Sequence, residues 1–189
     1  MSALPSSYIQ YQKKIIGPYI TDANTILDFG CGDMTLAREL VRDGVRVTGV
    51  DVVKAATVKS SRVKFILYDG NTLPFSNNSF DVGIAYHVFH HIRKPEKAFT
   101  ELVRVTKKRI ILVEPVLRHP FEKFGFVIAD IVGNLGRENP IAMPFTVKTR
   151  AWWMNEFSRN NLTIKEEKNV GVLPLSLPIG QTKLFILEK

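Results

Sequence analysis

Cysteine is nearly missing from this chain: Cys31 is the single one in 189 residues. An internal disulfide is therefore excluded, and with it the small stapled scaffolds of the secreted world. No apolar run approaches the roughly 20 residues that a membrane span needs. The opening stretch MSALPSSYIQYQKK lacks the basic-then-apolar order of a secretory leader. A cytoplasmic protein is the expectation. Internal repeats and low-complexity segments are absent too. Acidic residues are in deficit, 18 against 26 lysines and arginines, for a net charge of +8. The basic residues are spread along the chain, and their densest cluster is only RVTKKR at 104–109. Such a distribution implies attraction for anionic ligands without marking a dedicated nucleic-acid surface.

What is present suits one folded unit. With 45% hydrophobic and 23% charged residues, the chain can bury one core but is short for two, so 1–189 reads as a single domain. Apolar runs rich in Val, Ile and Phe alternate with longer amphipathic stretches. TILDFG (25–30), RVTGVD (46–51), VKFILYD (63–69), FDVGIAY (80–86) and RIILVEP (109–115) read as strands. MTLARELVRDG (34–44) reads as a helix with Gly44 as its cap, and PEKAFTELVRVT (95–106) as another, with Phe99, Leu102 and Val103 on one face. This alternation predicts an α/β fold, a parallel sheet covered on both faces. LTIKEEKN and TKLFILEK follow as two strands with no helix-length gap, which predicts an antiparallel pair at a sheet edge.

The turn after the first strand carries the functional signal. Gly30-Cys31-Gly32-Asp33-Met34-Thr35 begins like a dinucleotide fingerprint but lacks its third glycine. Asp33 suits a helix N-cap, and it places negative charge where a pyrophosphate would rest. A ligand with a cationic tail suits that turn better than an anionic one. Asp51 ends the second strand about 20 residues on, the place for a carboxylate that accepts from ribose hydroxyls. Asp69 ends the third, where a carboxylate can accept from an adenine amino group. An adenosine fits this set of aspartates, and a diphosphate does not.

ILDFGCGDM, VTGVDVV, YDGNTLPFSNNSFDVGIAYHVFHHI and IILVEP, in this order, resemble a class I S-adenosylmethionine-dependent methyltransferase, most similar to the small-molecule set called methyltransferase type 11. The resemblance covers about residues 15–115 and loosely the last two strands. It implies a Rossmann-like, doubly wound sheet of seven strands, order 3-2-1-4-5-7-6, with strand 7 antiparallel. It also implies S-adenosylmethionine as cofactor and S-adenosylhomocysteine as product. Carried over by position, Asp28 and the Gly30–Gly32 turn would hold the methionine moiety and Asp51 the ribose. Asp69 and Gly70 would read the adenine, and Tyr86 and His87 would border the sulfonium. The family motif D-x-G-x-G-x-G ends here in Met34 instead of glycine.

This cofactor carries its own leaving group, so the protein mainly aligns the acceptor and excludes water. His87 is the candidate base or wall residue, with His90 and His91 one turn on. No further cysteine or acidic ligand nearby suggests a metal site. The segment 116–156 has no motif. It is expected to build an acceptor pocket or lid, with Phe124, Trp152 and Trp153 as candidate lining residues, and Tyr8 or Tyr11 reaching over the cofactor from an N-terminal helix. The acceptor expected is a small molecule, apolar or aromatic. A nucleic-acid methyltransferase remains an alternative, although no Asn/Asp-Pro-Pro-aromatic motif ends strand four and the one cysteine lies in the cofactor turn. A non-enzymatic S-adenosylmethionine-binding protein is a second alternative. A nicotinamide dehydrogenase is disfavoured by Asp33 and the missing glycine.

Overall fold

The computed structural model describes residues 6–42, 44–53, 62–118, 122–125, 146–171 and 181–189. Its strands are β1 (Thr25–Phe29), β2 (Arg46–Asp51), β3 (Val63–Leu67), β4 (Phe80–Tyr86), β5 (Thr106–Leu117), β6 (Lys148–Thr149), β7 (Thr163–Asn169) and β8 (Gln181–Glu188). They form one sheet of order β3-β2-β1-β4-β5-β8-β7, and β6 pairs with β5 beside that path. The pairings among β1 to β5 are parallel. β8 runs antiparallel to both β5 and β7. The expected topology therefore holds, and the two-residue β6 merely advances the numbering of the last two strands by one.

Side-chain alternation along each strand sorts the core into two layers. Ile26, Val47, Val82, Ile84, Ile111 and Val113 face one side, under Ile16 and Ile20 from the N-terminal region and Leu36 and Leu40 from the second helix. Leu27, Phe29, Val50, Leu112 and Phe185 face the other, under Phe99, Leu102, Trp153 and Phe157. The helices are α1 (Ser6–Ile16), α2 (Thr35–Glu39), α3 (Pro95–Val105) and α4 (Arg150–Arg159). Proline at the first turn of α3 fits there because that N–H needs no partner within the helix. The Thr149 side chain caps α4 by accepting from Trp152 N.

β3 closes at Leu67 and β5 runs on to Leu117, and two further boundaries differ from those expected. α2 closes at Glu39 and not near Gly44, because Val41 N turns back to the Arg38 carbonyl and Arg42 donates to the backbone of Thr21. β5 starts at Thr106, directly at the end of α3, where Thr106 Oγ1 donates to the Leu102 carbonyl at 2.7 Å. That contact closes the helix and lets the strand begin without a loop. Among the described residues, no helix is long and apolar enough to cross a membrane.

Candidate functional site

The turn between β1 and α2 is built from left-handed backbone. Gly30, Gly32 and Met34 have φ of +71°, +53° and +67°, a region costly for any residue with a Cβ. The N–H groups of Gly30 and Cys31 both donate to the Val50 carbonyl, at 2.8 and 3.1 Å. Gly32 N donates to Asp51 Oδ2 at 2.8 Å, and Asp51 Oδ1 accepts from Val53 N at 3.0 Å. The last residue of β2 thus holds the turn after β1. The two glycines differ in what surrounds them. A Cβ on Gly30 would lie 2.5 Å from Val88 Cγ1, whereas one on Gly32 would meet nothing within 4 Å. Gly30 is bare to admit the loop after β4, and Gly32 is bare toward open space where a ligand can approach.

Asp28 lies beneath this turn, 2% exposed, and its Oδ2 has no hydrogen-bond partner. Burial, then the charges of Asp51 and Asp33, push its carboxyl up to about 7. A buried carboxyl oxygen without a donor, flanked by two further carboxylates, is a site that favours a cationic donor. Asp33 Oδ1 accepts from Thr35 N at 3.0 Å, but the N-cap of α2 is Met34, so Asp33 stands one residue outside its expected position.

Asp69 stands two residues beyond β3, which closes at Leu67 and not at Asp69 as expected, and much of its carboxylate serves its own turn. Its Oδ1 accepts from Asn71 N and Thr72 N at 2.9 and 3.2 Å. Those N–H groups, Asn71 first, hold the carboxyl below its usual range. Gly70 has φ +80°, and the exposed side chain of Val52 lies against it.

At the end of β4, Tyr86 and His87 stack at 4.8 Å between ring centroids. Tyr8 from α1 meets Tyr86 edge-on at 6.2 Å. Burial pushes the pKa of the Tyr86 hydroxyl above the ordinary tyrosine value, with Tyr8 and Gln12 beside it. Tyr11 is close enough to both tyrosines to be felt electrostatically. Asp28 pairs with Ile84 in register, so Asp28 and Tyr86 project from the same face of neighbouring strands, two residues apart. α1 lies over that end of the sheet. Gln12 is buried there as well, with its Oε1 lacking a partner.

Residues 27–113, which hold every feature so far except α1, match the family model described as a methyltransferase domain. The demethylmenaquinone methyltransferase of Renibacterium salmoninarum is 29% identical over 140 residues, 67% of this chain and 59% of that one. The chain spans about three-fifths of the length of the curated relatives it matches. Magnesium protoporphyrin IX methyltransferase from Synechocystis, solved with bound S-adenosylhomocysteine, aligns with TM-score 0.69 at 14% identity, covering 96% of this chain and 80% of that one. An S-adenosylmethionine-dependent methyltransferase from Methanosarcina mazei aligns with TM-score 0.69 at 18% identity, over 100% and 99% of the two chains. Likenesses at identities this low establish the fold alone.

The residues around this turn fit S-adenosylmethionine. The orphaned Oδ2 of Asp28 and the open space at Gly32 suit its ammonium-bearing end, and Asp51 ends β2 beside them. Met34, which replaces the motif glycine, is fully buried. Its side chain turns under the sheet against β2, so it leaves the approach clear.

His87 closes the site from the side of β4. It takes a left-handed φ of +56°, and its N donates to the Val113 carbonyl at 2.8 Å. The residue is half-buried, but Nε2 is enclosed and has no hydrogen-bond partner. Burial pushes its pKa down to about 4, opposed by Glu114 and assisted by His90 and His91. The imidazole is therefore neutral near neutral pH and has a lone pair to offer. Among the described residues, no group of three or more His, Cys, Asp and Glu could hold a metal ion.

Glu114, beneath this loop, was not singled out by the sequence reasoning. It is 1% exposed, and its Oε1 accepts from Val88 N and Phe89 N at 2.5 and 2.7 Å. Its Oε2 meets His90 Nδ1 at 2.9 Å. A lone acidic residue inside the apolar run RIILVEP was the available signal.

The lid candidates separate. Trp153 is 1% exposed and packs on Phe89, Phe99 and Phe157 at 5.5 to 5.8 Å. Its expected role as pocket lining is corrected to core, because α4 turns it inward against α3. Trp152 is half-buried with Lys148 Nζ 5.0 Å from its ring centroid, and Phe124 is 75% exposed. Most of the expected lid, residues 126–145, lies outside the described residues. Its return is anchored, however. Thr146 Oγ1 lies 2.9 and 3.0 Å from the carbonyls of Ile92 and His90, and Lys148–Thr149 pairs with Val116–Leu117. The segment therefore leaves β5 and comes back beside the loop that carries His87.

The basic cluster at 104–109 sits at the opposite end of the sheet, where β5 begins. Arg104 is held by Glu101 and the carbonyls of Leu73 and Phe75, and Arg109 by Asp22 and Glu188.

Proposed function

We propose that this chain binds S-adenosylmethionine and transfers its methyl group to a small-molecule acceptor, apolar or aromatic. The observation that carries the reading is the buried, partnerless Asp28 oxygen beneath the open Gly32 turn. A phosphate-bearing dinucleotide would meet three carboxylates there, while an ammonium would meet the donor-free acceptor it needs. S-adenosylmethionine supplies the activated methyl group. Asp28 and the turn hold the methionine end, Asp51 the ribose, and Asp69 with Gly70 the adenine. Tyr86 and His87 border the reacting centre, and neutral His87 takes the proton that an oxygen or nitrogen nucleophile gives up.

Acceptor choice belongs to the aromatic surface of α1 and the segment around 116–156, with Tyr8, Tyr11, Phe124 and Trp152 as contacts. Curated relatives named for demethylmenaquinone make a quinol with an apolar tail the first acceptor to screen. The nucleic-acid alternative loses support because Arg104 and Arg109 are tied into ion pairs at the far end of the sheet.

Calorimetric titration with S-adenosylmethionine, S-adenosylhomocysteine and NADH tests the reading. Binding of the first two without the third is expected, and binding of NADH alone would overturn it. Methyl transfer to a quinol then separates an enzyme from a protein that only binds the cofactor.

A further inference from the structure

We propose that Glu114 is a positioning residue: by clamping the backbone of Val88 and Phe89 and the ring of His90, it holds His87 turned into the site. The proposal rests on the reading of His87 as a site residue. The observations behind it concern the loop alone.

His87 sits at a joint. On its N-terminal side its own N–H extends the β4–β5 ladder to Val113. On its C-terminal side the next two N–H groups both go to Glu114 Oε1, and His90 Nδ1 goes to Oε2. Glu114 is one residue beyond Val113 on β5, so adjacent residues of one strand grip the chain on both sides of His87. Between these grips the backbone must reverse, and His87 does so at φ +56°. A histidine in that region costs about 1 kcal/mol or more, and it stays there only because its surroundings leave no other path. The carbonyl side of the turn is held as well, since Thr146 Oγ1 lies within hydrogen-bond distance of the His90 and Ile92 carbonyls.

The clamp is suited to an ionised carboxylate. Burial alone would push the Glu114 carboxyl up, but His90, His87 and the Phe89 N–H together hold it below the usual range. Bonds to a buried ionised acceptor are short and strong. The other titratable groups facing His87 are His90 and His91 in the same turn and Tyr86 from β4. Gly30 completes the arrangement, because only a residue without a Cβ admits Val88 against the cofactor turn. One buried carboxylate therefore sets the loop that borders the reacting centre and, through Val88, its packing on the cofactor turn.

The test compares Glu114→Met, of similar size without an acceptor, with Glu114→Gln, which keeps one oxygen for the two N–H groups. The readout is the ring nitrogen NMR spectrum of the histidines in the cofactor-free chain. His87, His90, His91 and His119 are the four to assign. In Glu114→Met the His87 ring is expected to loosen and titrate upward, toward the ordinary histidine value, while Glu114→Gln stays near wild type. Simple loss of a nearby negative charge would move His87 downward, so a downward shift or an unchanged His87 in a folded Glu114→Met chain overturns the proposal. If Glu114→Met does not fold, His90→Leu removes one of the three grips and is expected to raise the mobility of the His87 ring in nitrogen relaxation, a readout that loss of the His90 charge does not move. Unchanged mobility there overturns the proposal as well. In methyl transfer, Glu114→Met is expected to lower kcat by about tenfold or more, with a smaller loss of cofactor affinity. Absence of cofactor binding in the wild-type chain would refute the methyltransferase reading and leave the histidine spectra to decide the role of Glu114.

Discussion

Met34 occupies, through its sulfur, the space that a side chain on Gly49 would need. The relationship explains how a methionine can stand at a motif glycine. Left-handed backbone at Met34 keeps the turn's shape, and the bare Gly49 on β2 receives the side chain that glycine would not have had. Cys31 shares the pocket, with Sγ 2.7 Å from the same point. Gly49→Ala is therefore expected to cost about 1–3 kcal/mol by overpacking. Met34→Ala in the same chain should restore part of that loss. Urea unfolding of the single and double variants measures the coupling, and strictly additive losses would deny the contact.

Asp51 ties the end of β2 to the turn after β1 through Gly32 N. Asp51→Ala should weaken S-adenosylmethionine binding by about 1.5–3 kcal/mol, the range for hydrogen bonds to a charged group. Calorimetry reads this directly. Unchanged affinity would remove Asp51 from the site.

Asp28 and His87 act on stability with opposite signs. The folded Asp28 carboxyl titrates at about 7 against 3.8 for an ordinary one, so the native state keeps a proton that the unfolded chain has released. Its contribution is present at low pH and is lost as pH rises from about 4 to about 7, by up to roughly 4 kcal/mol at 1.4 per unit. His87, held at about 4 against 6.5, costs stability as pH falls through 6.5 toward 4. Asp28→Asn removes only the first slope. Relative to wild type, that variant should gain stability steadily between pH 4 and 7 and no further above it. A stability difference that does not change with pH would show that Asp28 is not a buried, protonated group.

The two adjacent tryptophans have different tasks. Trp153→Ala should lower stability by about 3–5 kcal/mol, as for other large aromatic-to-alanine changes in a packed core. Trp152→Ala should cost less, because its ring is only half-buried beneath Lys148. If Trp152 contacts the acceptor, its removal should raise acceptor KM in the folded enzyme. Equal losses of stability would reverse the assignment of core and pocket.

Much of this architecture was legible beforehand because it rests on local patterning. Val- and Ile-rich runs buried on both faces, separated by amphipathic stretches, predict a parallel sheet, and the strands appear where those runs lie. RVTGVD and FDVGIAY match β2 and β4 residue for residue. The places of Asp28, Asp51 and the glycine turn along β1 and β2 were readable for the same reason. Their spacing follows from one strand–turn–helix–strand unit, which chain geometry permits in few ways.

What the tertiary structure decided is which partner each group received. Sequence spacing could not tell that Gly30 makes room for Val88 while Gly32 faces open space, since the contacting residues are 58 positions apart. Nor could it turn Trp153 inward and leave Trp152 half-covered, because both lie on one short helix whose rotation is set by packing on Phe89 and Phe99. Glu114 is the clearest instance. In sequence it is a lone acid in an apolar strand. In the folded chain it is the acceptor for two N–H groups and a histidine more than 20 residues away. Motif and strand were determined by the sequence itself, through short-range sterics and hydrophobic period. The clamp around His87 exists only once β4 and β5 lie side by side, because its bonds form between strands and are buried by the packing that brings them together.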